Sequence, residues 1–154
     1  MRRLLLLSLL LGSSLSTAFA GDVVTGRVVK VLPFFLDLKG QRALTPSLYD
    51  RDAYQTYLRR HANQRSAIRF DVLWKASEVG SPQLKLRVEL RGIGKDGLPR
   101  QATLEQTVTP HFFRHWNSLT LDGAAYKDFG ELVAWRVTLW SGAQQLSEQR
   151  SFLW

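Results

Sequence analysis

The chain has 154 residues, 45% of them hydrophobic and 11% aromatic, with 21 Lys and Arg against 13 Asp and Glu. Those numbers suit one domain with a real core and exclude wholesale disorder. With no Cys, disulfide scaffolds, thiolate metal centres, cysteine nucleophiles and the modified cysteine of a bacterial lipoprotein are all excluded.

The first twenty residues read as an address. Arg2 and Arg3 form a basic head, Leu4 to Leu11 is a leucine run broken only by Ser8, and Ala18-Phe19-Ala20 is a small-x-small cleavage site. An apolar stretch this short falls well below the roughly twenty residues of a spanning helix. Residues 1–20 are therefore expected to be a signal peptide, and residues 21–154 a single exported domain, periplasmic or secreted, from a bacterium. Cleavage removes two Arg and no acid, leaving 134 residues with a net charge of +6. No later stretch is apolar for long enough to span, so the product is not expected to be an integral membrane protein.

Val23 to Leu32 is Val-rich, lies between Asp22 and Pro33, and predicts a strand with a possible bend at Gly26. Pro33 to Gly40 reads as a loop or a short second strand. Thr45 to about Ala62 carries the one helical pattern. Thr45 could cap it with Pro46 at the first helical position, or Ser47 could cap it with Asp50 three residues on. Tyr54, Tyr57, Leu58 and His61 then form one stripe, Arg59 and Arg60 sit at the negative end of the dipole, and Asn63 is a stop.

The remainder alternates with a period of two. Ile68, Phe70, Val72, Trp74 and Ala76 point one way, and Leu84, Leu86, Val88 and Leu90 oppose Lys85, Arg87, Glu89 and Arg91. Gly80-Ser81-Pro82 separates these two strands as a turn. Gly92 to Arg100 is a second turn region, and Thr103 to Val108 a weaker strand. Trp116 to Leu121 is short and extended, and Asp122-Gly123 turns the chain. Val133, Trp135, Val137 and Leu139 make an inward row against Ala134, Arg136, Thr138 and Trp140. Ser141-Gly142 is a hairpin turn, and Leu146 to Trp154 a last strand.

The expected fold is mainly β: an antiparallel immunoglobulin-like β-sandwich of about seven strands with one helical insertion at about residues 46–62, a curled barrel being the rival. The segments GELVAWRVTLW and SGAQQLSEQRSFLW resemble the closing hairpin of immunoglobulin-like and fibronectin-like domains. By the same resemblance Tyr126, ahead of Gly130, corresponds to the tyrosine corner and Trp74 to a core tryptophan. The Cys…Trp…Cys set of such domains is absent. The resemblance covers about 85 residues and implies fold alone, because the architecture hosts unrelated functions.

Chemistry-bearing motifs are sparse. His111 and His115 would share one face of a helix and could hold a metal with His61 or a distant acid, but Phe112 stands where a metalloprotease carries its glutamate. Pro110 could begin such a helix or equally end the strand before it, and the reading set against a metal site is two histidines at the rim of the sheet. No G-x-S-x-G elbow is present. Asp50 and Asp52 suit a helix start better than a pair of catalytic carboxylates. Gly92, Gly94 and Gly97 spell a dinucleotide-binding motif, but Pro99 and the strand-like TLEQTV after it deny the helix that motif needs, so it reads as a turn. No cofactor is implied.

Arg59, Arg60, Arg65 and Arg69 cluster near the helix end, while Lys85, Arg87 and Arg91 line a wet strand face relieved by Glu89. This is too thin a stripe for nucleic acid, which the exported destination also argues against. Trp74 and Trp135 read as core. Phe34, Phe35, Phe112, Phe113 and Trp116 flank loops, and Phe112, Phe113, Trp116, Arg59 and Arg60 are the candidate ligand or partner surface. The function expected first is a small exported, non-enzymatic interaction or accessory domain whose partner is an envelope protein, a glycan or an anionic lipid. A carbohydrate- or lipid-binding module using exposed aromatics and basic residues comes second, and a metal-assisted enzyme last.

Overall fold

The computed structural model describes residues 24–77, 83–110 and 113–154. The expected signal peptide, the Gly80-Ser81-Pro82 turn, His111 and Phe112 lie outside them. The described chain is mainly β. Its strands are β1 (Gly26–Asp37), β2 (Arg65–Ala76), β3 (Leu84–Ile93), β4 (Pro99–Val108), β5 (His115–Leu121), β6 (Glu131–Ser141) and β7 (Gln144–Arg150). Helix α1 (Leu48–Arg60) and a 3₁₀ turn (Ala62–Gln64) lie between β1 and β2, and helix α2 (Gly123–Phe129) between β5 and β6. Two antiparallel sheets result, one ordered β1-β2-β5 and the other β4-β3-β6-β7.

Period-two burial builds the core. The even-numbered rows of β2 (Phe70, Val72, Trp74) and β3 (Leu84, Leu86, Val88, Leu90) join Val137 and Leu139 of β6 in one buried cluster fed by both sheets. Phe70 meets Trp135 edge-on across the sheets, centroids 6.2 Å apart. The Trp74 indole N–H donates to Asn117 Oδ1 at 2.7 Å, so this fully buried ring leaves no polar atom unpaired. Where β1 meets β7 the sheets are tied by side chains: Val28 N–H donates to Ser147 Oγ at 3.0 Å, and Gln149 Nε2 to the Val29 carbonyl at 3.2 Å.

Five expectations need correction. The segment from Pro33 is neither a loop throughout nor a separate strand: β1 runs on to Asp37, only residues 38–40 turn, and Pro33 is tolerated because β1 is the edge strand of its sheet. A second helix exists where Asp122-Gly123 was read as a turn. At seven residues α2 is too short to show a period, yet it buries Tyr126 and Phe129 at i and i+3. Val133 does not join the inward row and is 42% exposed, because a bulge opposite Arg91 and Gly92 gives β6 an extra residue and flips its phase. The last strand ends at Arg150, after which residues 151–154 turn and Trp154 packs under the Arg91 and Arg136 guanidinium groups. The buried face of α1 is Gln55 with Leu58, not the Tyr54–Tyr57–Leu58–His61 stripe, and the helix stops at Arg60 with His61 as its cap. Ser47 is the N-cap, accepting from Asp50 N–H at 3.3 Å.

A glutamine on that face has a specific reason. Gln55 copies a neighbouring strand: its Oε1 accepts from Phe35 N–H at 2.8 Å, while its Nε2 donates to the Phe35 and Arg42 carbonyls at 2.9 and 2.8 Å. The free edge of β1 is thereby satisfied at Phe35, and α1 is held to it. Gln55→Ala leaves one donor and two acceptors short of partners and should cost about 2 to 4 kcal/mol, read from urea denaturation.

The turn after β1 is held by one carboxylate. Asp37 Oδ1 accepts from Lys39 and Gln41 N–H at 2.8 Å each, and Oδ2 accepts from the Tyr54 hydroxyl at 2.7 Å. Burial pushes the Asp37 carboxyl up, but its hydrogen bonds from Gln41, Tyr54 and Lys39 outweigh that and hold it below the usual carboxylate range. Burial, then the Asp37 carboxylate, push the Tyr54 phenol up from 10.0 to about 12. A phenol raised on folding stabilises the fold fully below pH 10 and loses that contribution as pH climbs through about 12. The Asp37 contribution is present at neutral pH and is lost as pH falls through its lowered value. Tyr54→Phe should therefore flatten the fall in stability between pH 9.5 and 12, measured by denaturant midpoints across that range.

Candidate functional site

The described molecule has a cleft of about 690 Å³ at one end of the two sheets, within the size range of small-molecule sites. Four neighbouring segments form it. Leu38 follows β1, the 3₁₀ turn supplies Ala62 and Asn63, the end of β3 and the turn after it supply Ile93, Gly94 and Lys95, and α2 supplies Tyr126 and Lys127. Gly94, Asp96 and Gly97 shape the β3–β4 turn: Gly97 N–H donates to the Gly94 carbonyl at 2.9 Å, with Gly97 at φ +76°. Of the GIGKDG segment, Gly92 and Ile93 finish β3 and residues 94–97 make the turn, so no helix follows the glycines.

One wall is an ion pair. Arg65, the first residue of β2, has a side chain only 3% exposed, and its guanidinium donates to both carboxylate oxygens of Glu131, the first residue of β6, at 2.5 and 2.6 Å. Its remaining N–H groups reach the Leu58 and Arg59 carbonyls, capping the C-terminus of α1, and its plane lies 4.2 Å over the Phe35 ring. Across this wall lies a second hollow of about 290 Å³ between Phe34, Phe35, Arg59, Ile68 and Leu132. Burial raises the Tyr126 phenol, against the pull of the Arg65 guanidinium, so this hydroxyl stays protonated at neutral pH. Lys95 and Lys127 make no ion pair among the described residues.

The lining therefore combines an apolar surface, made by Leu38, Ala62, Ile93 and the Tyr126 ring, with two uncommitted ammonium groups. It carries three cations and one carboxylate. Such a site can hold a molecule with an apolar body and an anionic group. The Arg65 N–H groups are already taken up by fold contacts, which suits a wall better than a reacting group.

The predicted surface residues that are described do not converge. Arg59 and Arg60 are exposed at the end of α1, and Arg59 lines the smaller hollow. Phe113, 80% exposed, and Trp116, 46% exposed, lie at the far end of β2, where Trp116 is in register with Leu73 and His115 with Trp74. His61 stacks on Tyr57 at the α1 end, away from His115. Among the described residues no three His, Asp or Glu gather as a metal site. Sequence reasoning missed Lys95, Lys127 and Tyr126 as lining one cleft, since no spacing rule links residues drawn from a hairpin turn and a helix of about two turns. Asp50 binds Thr45 and Ser47 at the helix start, as a capping residue should. Glu105 bridges Lys85 and Arg87, and Arg136 binds Glu89, so much of the wet face of β3 is cross-paired.

Comparison with protein-family models, with curated proteins and with solved structures finds no match to this chain. Among the described residues no helix is long and apolar enough to cross a membrane.

Proposed function

We propose that this chain is an exported, non-enzymatic accessory domain of the periplasm or cell exterior, built as an immunoglobulin-like β-sandwich, that works by holding a ligand in the cleft beside α2. The observation that carries this reading is the lining of that cleft: an apolar floor between Ile93 and Leu38 with Lys95 and Lys127 uncommitted beside it. The ligand class it fits is an amphiphile, with its apolar part on Ile93, Leu38 and the Tyr126 ring and its anionic group at the lysines. Two buried rows meeting between two antiparallel sheets support the sandwich. The basic-leucine-small order of residues 1–20 supports export.

Dodecanoate and dodecyl maltoside below their micelle concentrations are the probes, followed by calorimetry and thermal melting. Dodecanoate should bind and raise the melting temperature, and the uncharged maltoside should bind at least about tenfold more weakly. Ile93→Lys places a charge on the half-exposed floor and should abolish binding while leaving the fold intact. Equal binding by wild type and Ile93→Lys, or no binding by either, refutes the cleft as the working site.

A further inference from the structure

A second basic surface lies at the opposite end of β2, ten residues from Arg65 and so roughly 30 Å away. Arg27 and Lys75 are directly paired across β1 and β2, with both side chains on the face turned away from Val28 and Trp74. Lys30 stands on the same face, in register with Leu73, and Trp116 flanks Leu73 from β5. All three cations are exposed, and none makes an ion pair among the described residues. Asp71, on that same face, cannot serve them, since its oxygens already take Arg42 at 2.5 Å, Arg69 at 2.6 Å and Ser118 Oγ at 2.7 Å. Like charges set directly opposite each other on a sheet destabilise it unless something anionic lies between them.

A hollow of about 340 Å³ opens at this pair, lined by Thr25, Gly26, Arg27, Lys75, Ala76 and Ser77. It has the size and charge for a phosphate group. Beside it the surface is apolar as well as basic: Leu32 and Leu73 are half-buried and Trp116 is 46% exposed. A free anion would have no use for that apolar strip. A phospholipid surface would, since indole rings settle at the boundary between headgroups and acyl chains.

We infer that this part of the outer face of the β1-β2-β5 sheet docks on an anionic phospholipid surface, with a headgroup phosphate between Arg27 and Lys75 and Trp116 at the headgroup boundary. The site is separate from the α2 cleft and does not rest on it.

The test uses protein lacking residues 1–20, in which the first element among the described residues begins at Gly26, so that the Leu4 to Leu11 run contributes nothing. It is sedimented with vesicles of phosphatidylcholine, with and without about 30% phosphatidylglycerol. Binding should require the anionic lipid and weaken as salt rises. A basic residue near an anionic surface is worth about fivefold in partitioning, so Lys75→Glu, which reverses a charge, should cost at least about tenfold. Because that substitution faces Arg27, the melting temperature should hold or rise, a combination that damage to the fold cannot produce. If Lys75→Glu melts earlier, Lys75→Gln carries the comparison and should still cost several-fold. Trp116→Phe should remove most of the blue shift in tryptophan emission on binding.

The double variant Arg59→Glu, Arg60→Glu, which alters exposed cations at the far end, should cost less than about threefold. Ile93→Lys should bind vesicles as the wild type does. No binding to the anionic vesicles, or equal losses in the Lys75 and Arg59/Arg60 variants, overturns the inference. So does full displacement by about 10 mM inorganic phosphate, the behaviour of a small-anion site, or stronger binding to an acidic polysaccharide than to vesicles.

Discussion

Gly130→Ala is expected to lower stability by roughly 3 kcal/mol and the melting temperature by roughly 10 °C. Two separate physical terms add at this position. Gly130 has φ +77° and ψ −133°, a combination open essentially to glycine alone, where an L side chain costs about 1 to 3 kcal/mol. A Cβ there would also overlap the Ile93 carbonyl oxygen and come within 2.8 Å of Gly94 Cα. Both are backbone atoms of the β3–β4 turn and cannot swing aside as a flexible side chain would, so the turn must move. Gly142 provides the control: its φ is +56° and nothing lies within 4 Å of an added Cβ, so Gly142→Ala should cost only the conformational term, about 1 kcal/mol. Urea denaturation of the two variants separates strain from overlap. Equal losses would mean that the close approach of Gly130 to Ile93 is not a feature of the folded protein. Because Gly130 and Ile93 both line the α2 cleft, ligand binding there should weaken in Gly130→Ala and stay unchanged in Gly142→Ala.

Arg65→Ala should destabilise the protein by roughly 3 kcal/mol, and Glu131→Gln by no more than about 1 kcal/mol. The asymmetry follows from where the two ends of the ion pair lie. The Glu131 side chain is 54% exposed, so water supports its carboxylate when the partner is gone. The guanidinium, in contrast, is buried over Phe35 and serves the Leu58 and Arg59 carbonyls, which lose their donors with it. Arg65→Lys should recover little, because an ammonium cannot present a planar fork to a carboxylate and two carbonyls at once. Denaturant midpoints for the three variants, with far-UV circular dichroism for the helical contribution, decide the matter. A loss for Glu131→Gln as large as that for Arg65→Ala would show that the ion pair, and not the helix cap, is what matters.

Much of the β framework could be read directly. Leu84, Leu86, Val88 and Leu90 alternate with charged residues so regularly that only one register buries them, and each is buried as the pattern requires. The same holds for Ile68 to Ala76, and for Ser47 as the cap of α1. Failures occur where a tertiary partner overrides a local pattern. Tyr57 fits the helical stripe yet stays exposed, because what α1 meets at β1 is an unsatisfied backbone edge, and a glutamine serves that edge better than an aromatic ring. Val133 fits the inward row of β6, but one bulged residue reversed its direction. Of the residues first considered for a partner surface, Trp116 is the one whose strand neighbours Leu73, Lys30 and Lys75 give it a chemical setting, and that setting comes from sheet order.

The amino-acid order alone determined the mainly antiparallel β body, the position of the long helix and the identity of most core rows, because period and capping are local properties of a chain. Only the tertiary structure brought Lys95 and Lys127 into one cleft, Arg65 onto Glu131 and Arg27 opposite Lys75. These meetings depend on which strands pair and in what register, and residues dozens of positions apart carry no mark of one another until the sheets close.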